Sequence, residues 1–293
     1  MTIILTVLQT VAPVFLLALV GFLWVRSGHE YRTEFVTRLA MTVSVPCLIF
    51  VALMNSQVAP GALTTISLAA LTGYMGLMLL FWVMLRAAGL DLRTYLAPMI
   101  YGNTGNLGLP LALFAFGEEG LGYAVVVFAV MAILSFTVGI RMVAGSGSFL
   151  KVLREPMVAA TLLGALFLWQ GWQTPAWLTN TVQLAGQMAI PLMLITLGVA
   201  VARLHPAGFL RPFALSLIRA VVCSGLGWIV GRAFSLPPVA LAVLVLQLGT
   251  PVAVTSYLLA EKYGADSGSV AGLVVISTLL SVITIPLTLA LVM

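Results

Sequence analysis

The chain has 293 residues, of which 62% are hydrophobic and only 7% are charged, and its formal net charge is +5. Water-soluble domains carry about a quarter charged residues, so this composition excludes an ordinary soluble fold and predicts an integral membrane protein. Its apolar runs are continuous over about 20 residues instead of alternating with period two, which predicts an all-α protein. The basic residues lie in or beside short loops between apolar runs, which argues against nucleic acid as a partner.

The apolar runs, read in chain order between charged or Gly/Pro-rich breaks, predict ten transmembrane helices. A bilayer core of about 30 Å takes about 20 apolar residues per helix. The first run has no basic residue ahead of it and no cleavage motif, so we expect a retained span instead of a signal peptide. The predicted spans lie near residues 3–25, 36–54, 62–86, 95–117, 121–141, 155–172, 176–202, 208–231, 238–261 and 268–292.

The basic residues predict an orientation for these spans. With ten spans, twelve of the 13 Lys and Arg residues fall on one side of the membrane, and Arg232 alone falls on the other. The positive-inside rule assigns the basic side to the cytoplasm. We therefore expect a multi-pass protein of a bacterial inner (cell) membrane, surrounded by lipid, with both termini extracytoplasmic.

Prolines recur at matching places in the two halves of the chain. Offsets of 141 to 145 residues relate Pro13, Pro46 and Pro110 to Pro156, Pro191 and Pro251. Each half then holds five spans, so the second half enters the membrane from the opposite side. The pattern predicts two inverted five-helix repeats, 1–141 and 155–293, joined by a cytoplasmic linker, 142–154. Inverted repeats are typical of secondary transporters.

The fourth span is interrupted where the midplane of the bilayer is expected. Residues 101–110 read YGNTGNLGLP, with three glycines, two asparagines and a proline. Proline removes a backbone donor and disfavours helix at the residue before it, while glycine releases the backbone from steric restriction. We expect an unwound segment, followed by a second half-helix that begins at Pro110.

The ninth span has a corresponding interruption at residues 247–251, QLGTP. Thr250 is a natural N-cap and Pro251 a natural first helical residue, so a half-helix is predicted to begin there. Irregular backbone at this depth is stable only when it is buried in protein or lines a wet cavity. The two breaks are therefore expected to meet near the midplane, although kinks that serve packing alone stay an alternative.

Two half-helix N-termini that meet would offer free N–H groups and positive dipole ends to a carboxylate. The breaks also carry neutral hydrogen-bonding side chains. The predicted substrate-binding residues are Asn103, Thr104, Asn106, Gly108, Pro110, Gln247, Thr250, Pro251 and Thr255.

Charged side chains inside the membrane are functional candidates. No Asp or Glu falls at the centre of a span, so a proton relay through a buried carboxylate is unsupported. Arg219 lies eight residues beyond Arg211, about 12 Å along a helix; it is a candidate for attracting an anion, or else it snorkels to the interface. No metal or organic cofactor is predicted. Na⁺ or H⁺ stays open as a coupling ion, because a sodium site of backbone carbonyls would leave no charged signature.

Several motifs resemble those of the auxin efflux carrier family, over essentially the whole chain. The most specific is NTGxxGLP at residues 103–110; others are PxA at 251–253 leading to AEKYGAD at 260–266, and STLLS at 277–281 followed by TIPL at 284–287. The resemblance implies a scaffold of helices 1, 2, 6 and 7 and a mobile unit of helices 3–5 and 8–10. It also implies a substrate site at the crossing of the broken helices 4 and 9, an elevator-type movement and a homodimer.

Three positions depart from the pattern of that family. Asn106 stands where an apolar or aromatic residue is more common, Thr250 where methionine is frequent, and Thr255 where asparagine is frequent. These changes make the predicted site smaller and more polar, which disfavours an aromatic substrate and favours a small aliphatic carboxylate.

The function predicted from the sequence is therefore secondary transport of a small organic anion. A passive channel or facilitator would use the same helix breaks as a filter and stays open as an alternative. An intramembrane enzyme is disfavoured, because metal or acid–base catalysis needs clusters of His, Cys, Asp or Glu. The chain has two histidines, both predicted in loops, and two separated cysteines.

Overall fold

A computed structural model describes residues 2–55, 60–144, 156–204 and 208–292. Over these ranges the chain is helical, apart from short connections and one isolated β-bridge. The helices are α1 (Thr2–Arg26), α2 (Thr33–Leu39), α3 (Val45–Met54), α4 (Pro60–Ala87), α5 (Leu92–Ile100), α6 (Leu109–Leu134), α7 (Ile140–Ala144), α8 (Pro156–Gln170), α9 (Ala176–Gln187), α10 (Ala189–Arg203), α11 (Leu210–Ala233), α12 (Pro238–Gly249), α13 (Val254–Tyr263) and α14 (Ser267–Val292).

Six continuous helical stretches in the described part of the chain are long and apolar enough to cross a membrane, and three shorter apolar helices accompany them. The prediction of an all-α, multi-pass membrane protein is confirmed at this level. The count of ten spans stays a prediction. The long stretches are Thr33–Met54, Gly61–Ala87, Thr104–Ala144, Ala176–Arg203, Leu210–Ala233 and Ser267–Val292; the shorter ones are Val11–Arg26, Pro156–Gln170 and Pro238–Gly249.

One predicted loop is helical in the structure, and a second lies mostly outside the described residues. Residues 118–120, expected in an outer loop, are instead helical: α6 contains a sharp turn at Gly117 (φ 63°, ψ −155°) and continues directly. A positive φ is readily adopted only by glycine, so the helix kinks at Gly117 without an intervening loop. Most of the predicted linker, with Lys151 and Arg154, lies outside the described residues.

Three short π-helical segments interrupt the regular helices. They are π1 (Ala40–Ser44), π2 (Thr104–Gly108) and π3 (Ser135–Gly139). A π-helical turn widens the helix and releases a backbone carbonyl, and such segments are frequent at functional sites. At π3 the Tyr101 hydroxyl donates a hydrogen bond of 3.2 Å to the Leu134 carbonyl, which links this segment to the break in the fourth predicted span.

The helices pack as two groups of neighbours. In the first group α1 packs along α10, while α3 packs on α8 and α9. In the second, α11 packs on α12 and α14, α4 packs on α5 and α6, and α12 packs on α6. The buried side chains form a continuous apolar core through both groups, and the outward faces carry many exposed large apolar residues, as lipid contact requires.

Helices α1 and α10 approach each other through glycines. A Cβ atom at Gly198 would overlap the carbonyl oxygen of Ala18, and one at Gly21 would overlap the carbonyl oxygen of Ile195. Small residues let helix backbones come close where lipid supplies no hydrophobic drive for association. The pair of glycines therefore fixes the spacing of these two helices.

Asp91 fixes the start of α5. Its carboxylate accepts the backbone N–H groups of Arg93 at 3.3 Å and Thr94 at 3.0 Å. The Thr94 hydroxyl donates to the same carboxylate at 2.6 Å, which holds the pKa of Asp91 below its ordinary value. The Thr94 hydroxyl also accepts the N–H of Asp266 at 3.3 Å, so the starts of α5 and α14 are joined at one membrane surface.

We expect Gly198→Ala to destabilise the protein, because the added methyl group has to push α1 and α10 apart. Overpacking of this kind costs about 1–3 kcal/mol, and the midpoint of thermal unfolding in detergent, followed by tryptophan fluorescence, should fall by several degrees. Gly225→Ala in α11 is the matched control, because a Cβ atom there meets nothing within 4 Å. Equal midpoints for both variants would contradict the assigned packing.

Candidate functional site

The interruption in the fourth predicted span is a short extended segment. Helix α5 ends at Ile100, residues 101–103 are non-helical, and π2 begins at Thr104 with Asn103 as its N-cap residue. The predicted start of the second half-helix at Pro110 is therefore wrong by six residues. Pro110 is tolerated because it is the second residue of α6, and the first turn is the part of an α-helix where proline costs least.

The interruption in the ninth predicted span is also extended. Helix α12 ends at Gly249, and α13 begins at Val254 with Ala253 as its N-cap residue. The predictions that Thr250 is the N-cap and Pro251 the first residue of this half-helix are therefore wrong, while substrate binding by them stays a prediction. Thr250 closes the preceding helix, because its hydroxyl donates 2.7 Å back to the Gln247 carbonyl, and Pro251 lies in the extended segment.

The two extended segments pair with each other. Gly102 and Val252 form an antiparallel β-bridge. The Asn103 N–H donates to the Pro251 carbonyl at 2.7 Å, and the Ala253 N–H donates to the Tyr101 backbone carbonyl at 3.5 Å. Each break thus provides hydrogen-bond partners that the other has lost. The prediction that the two interruptions meet is confirmed, whereas their relation by an inverted repeat stays a prediction.

Glycine is required where the two backbones cross. A Cβ atom at Gly102 would overlap the Thr250 hydroxyl and would lie 2.9 Å from Arg219 Nη2. A Cβ atom at Gly108 would overlap Gln247 Oε1. Gln247 is fully buried, and its amide donates to the Ala124 carbonyl at 3.4 Å, so a shift of this side chain would disturb that hydrogen bond. These two glycines let the fourth and ninth predicted spans touch.

Arg219 does not snorkel, contrary to the alternative considered from the sequence. It is 1% exposed and is the only charged residue classed as buried in the described part of the chain. Its Nε donates to the Pro98 carbonyl at 3.3 Å, and its Nη1 donates to the Thr250 carbonyl. It points inward because the C-terminal ends of α5 and α12 present carbonyl oxygens there.

A cavity of about 260 Å³ lies beside the crossing, on the side of the half-helix N-termini. Asn103, Asn106 and Thr255 line it. All three π-helical segments contribute to its wall. The other lining residues are Thr37, Met41, Tyr101, Gly102, Gly105, Phe128, Met131, Ala132, Ser135, Phe136, Met157, Ala253 and Val254.

The remaining predicted site residues do not line this cavity. They lie in or beside the two interrupted segments, or contact them, and Thr104, Gln247 and Thr250 are fully buried. The residues concerned are Thr104, Gly108, Pro110, Gln247, Thr250 and Pro251, together with Arg219. The sequence also missed the apolar wall supplied by Phe128, Met131, Phe136 and Met157, because no local motif shows which faces of distant helices meet.

Asn103 combines burial with an unused donor. It is 4% exposed, it lines the cavity, and its Nδ2 atom has no hydrogen-bond partner among the described residues. A buried amide without a partner is costly and calls for an explanation. Asn103 is the N-cap residue of π2, so this unused donor lies close to the free N–H groups at the start of the half-helix.

Comparison with known protein families gives a match over nearly the whole chain. A family model described as "Membrane transport protein" matches residues 6–152 and, a second time, residues 147–289. This match confirms the resemblance to the auxin efflux carriers and indicates a transporter instead of an enzyme.

Individual relatives are distant. An uncharacterized transporter of Methanocaldococcus jannaschii is 27% identical over 199 residues, or 64% of each chain. A candidate malonate transporter of Rhizobium meliloti is 26% identical over 203 residues, or 63% of this chain and 62% of that protein. These matches span slightly under two thirds of both relatives. An uncharacterized transporter of Methanothermobacter thermautotrophicus is 28% identical over 305 residues, or 95% and 96% of the two chains.

A double-mutant cycle tests the contact between Gly108 and Gln247. Gly108→Ala should lower stability by about 1–3 kcal/mol, because the methyl group collides with the buried amide group of Gln247. Gln247→Ala removes the obstacle, so the double variant should be no less stable than Gln247→Ala alone. Thermal unfolding in detergent measures all three. Additive losses would show that the two residues are not in contact.

Proposed function

This chain belongs to the membrane transport protein family, and from that premise we propose that it is a secondary active carrier of a small organic anion. The substrate is a carboxylate, held beside the crossing of the two broken helices. The observation that carries the proposal is the unpartnered Asn103 amide, which lines a cavity at a half-helix N-terminus. N–H groups and the positive dipole end suit an anion there.

The size and lining of the cavity support a small aliphatic substrate. Its volume of about 260 Å³ lies below the roughly 300–1,000 Å³ of sites for drug-sized ligands. Asn106 and Thr255 add neutral polar groups, while Phe128 and Phe136 form part of an apolar wall. Since one relative is a candidate malonate transporter, malonate is the first dicarboxylate to test.

The proposed movement is an elevator within ten spans arranged as two inverted repeats. The packing groups agree with this division: α1, α3, α8, α9 and α10 correspond to a scaffold, and α4–α7 with α11–α14 to a mobile unit. Hydrogen bonds between the two breaks join the mobile elements to each other. We propose that the scaffold also forms a homodimer.

The proposed orientation places the basic loops in the cytoplasm of a bacterial cell and both termini outside. Thr37 and Met41 of the cavity wall lie within three residues of Arg38, which this orientation places on the cytoplasmic side. The cavity therefore represents a cytoplasm-facing state of the carrier in this proposal.

Counterflow in proteoliposomes tests the carrier. We expect saturable exchange of labelled against unlabelled substrate for at least one member of a panel of mono- and dicarboxylates that includes malonate and lactate. A channel would give a non-saturating flux without counterflow. Absence of counterflow across the panel would contradict the proposal.

Substitutions of Asn103 test the site. Hydrogen bonds to charged groups contribute about 1.5–3 kcal/mol, so Asn103→Ala should lower exchange about 10- to 100-fold. Asn103→Asp keeps the shape but adds a negative charge, and it should lower exchange at least as much. Asn180→Ala is the matched control, because Asn180 is exposed on α9 and lies outside the cavity. Undiminished exchange by both Asn103 variants would remove this site.

A further inference from the structure

The C-terminal ends of α5 and α12 both contact the buried guanidinium group of Arg219. Pro98 belongs to the last turn of α5, and Thr250 is the C-cap residue of α12. Their carbonyl oxygens accept hydrogen bonds from Nε and Nη1 of Arg219. The third nitrogen, Nη2, lies against Gly102 and has no hydrogen-bond partner among the described residues. One guanidinium thus contacts both C-terminal ends and the extended segment between the half-helices.

The charge of Arg219 has no carboxylate partner in the described part of the chain. The ion pairs found there are Arg32–Glu30 and Arg38–Glu34, both at exposed positions. Each helix C-terminus carries roughly half a negative charge. The ends of α5 and α12 together therefore balance about one positive charge, which explains how a guanidinium is stable at 1% exposure.

Converging carbonyl oxygens are also the ligands that hard cations prefer. Without Arg219, the ends of α5 and α12 would repel each other or attract a metal ion from solution. With Arg219, two of these oxygens are already occupied by donors on a fixed side chain of α11. Guanidinium groups are well suited to this task, because they are always charged and present several donors in a plane.

We propose that Arg219 is the built-in cation of this carrier and a positioning residue for the substrate site. It takes the place that a coupling metal ion would otherwise occupy between the C-terminal ends of α5 and α12, and so it holds the half-helix N-termini around the cavity. Transport is therefore independent of sodium. This inference rests on the proposed carrier function, and it goes beyond it in naming what replaces the coupling ion.

The wild-type protein provides the first test. The probe is radiolabelled malonate exchanged against unlabelled malonate in proteoliposomes, or lactate if the panel shows that lactate is the better substrate. All sodium is replaced by potassium in one arm and by N-methylglucamine in another. We expect exchange rates within twofold of the rate in sodium. A loss of tenfold or more without sodium would overturn the inference.

Chemical rescue tests the role of the charge. Arg219→Ala should lower exchange at least tenfold, and millimolar guanidinium should restore a substantial part of it, because the free ion fills the space of the lost side chain. Urea has nearly the same shape without the charge and should not restore exchange. Arg219→Lys should keep measurable, sodium-independent exchange. Arg232→Ala is the control, since Arg232 is exposed at the end of the same helix.

A measurement of stability separates this inference from the proposed function. Guanidinium, but not urea, should raise the unfolding midpoint of Arg219→Ala at millimolar concentration, whichever substrate the protein carries. Wild-type exchange by Arg219→Ala, or equal effects of urea and guanidinium, would overturn the role of Arg219. If no probe gives counterflow, the carrier proposal fails, while the stability measurement still decides whether Arg219 acts as the cation. If Arg219→Ala does not fold, the sodium replacement in the wild type decides.

Discussion

The structure depends on one constraint: backbone N–H and C=O groups cannot be left unpaired in the interior of a membrane protein. Two helices are interrupted, at residues 101–103 and 250–253, so these residues need hydrogen-bond partners from elsewhere. Each extended segment hydrogen-bonds to the other, and the Val252 N–H finds the hydroxyl of Ser277 at 3.0 Å. Because each break is satisfied by its partner, neither could persist alone. The crossing is therefore a single structural unit.

The four half-helix ends at this crossing are treated unequally. The C-terminal ends of α5 and α12 are occupied by Arg219, a side chain of the protein itself. The N-terminal ends border the cavity through Gly105 of π2 and Val254 of α13, together with Asn103. The negative C-terminal ends are thus neutralised by Arg219, while the positive N-terminal ends are left without a charged partner among the described residues. In the proposed carrier this asymmetry would favour an anion, although none of the described residues that line the cavity is charged.

The sequence alone predicted the class of fold, the positions of both breaks and three of the polar cavity residues. Glycine and proline mark a break reliably, because they change the backbone wherever they stand. They do not fix where the helix resumes. Pro110 and Pro251 are both compatible with a first helical turn, and the pairing of 101–103 with 250–253 decided otherwise. The snorkelling alternative for Arg219 was wrong for the same reason: its partners are carbonyl groups of distant segments, which no local pattern reveals.

The crossing also constrains how a carrier of this kind moves. The hydrogen bonds between the breaks, the glycine contact at Gly108 and the Arg219 bridge all join elements of the same packing group. Breaking them during transport would expose several buried polar groups at once. In the proposed elevator, movement would therefore be cheaper between this group and the helices around α1 and α10, where the described residues form no such bonds. The π-helical segments π1 and π3 lie along that boundary, at the wall of the cavity, and widened turns adjust more easily than a regular helix. A substrate at the crossing would therefore be carried with it as a unit.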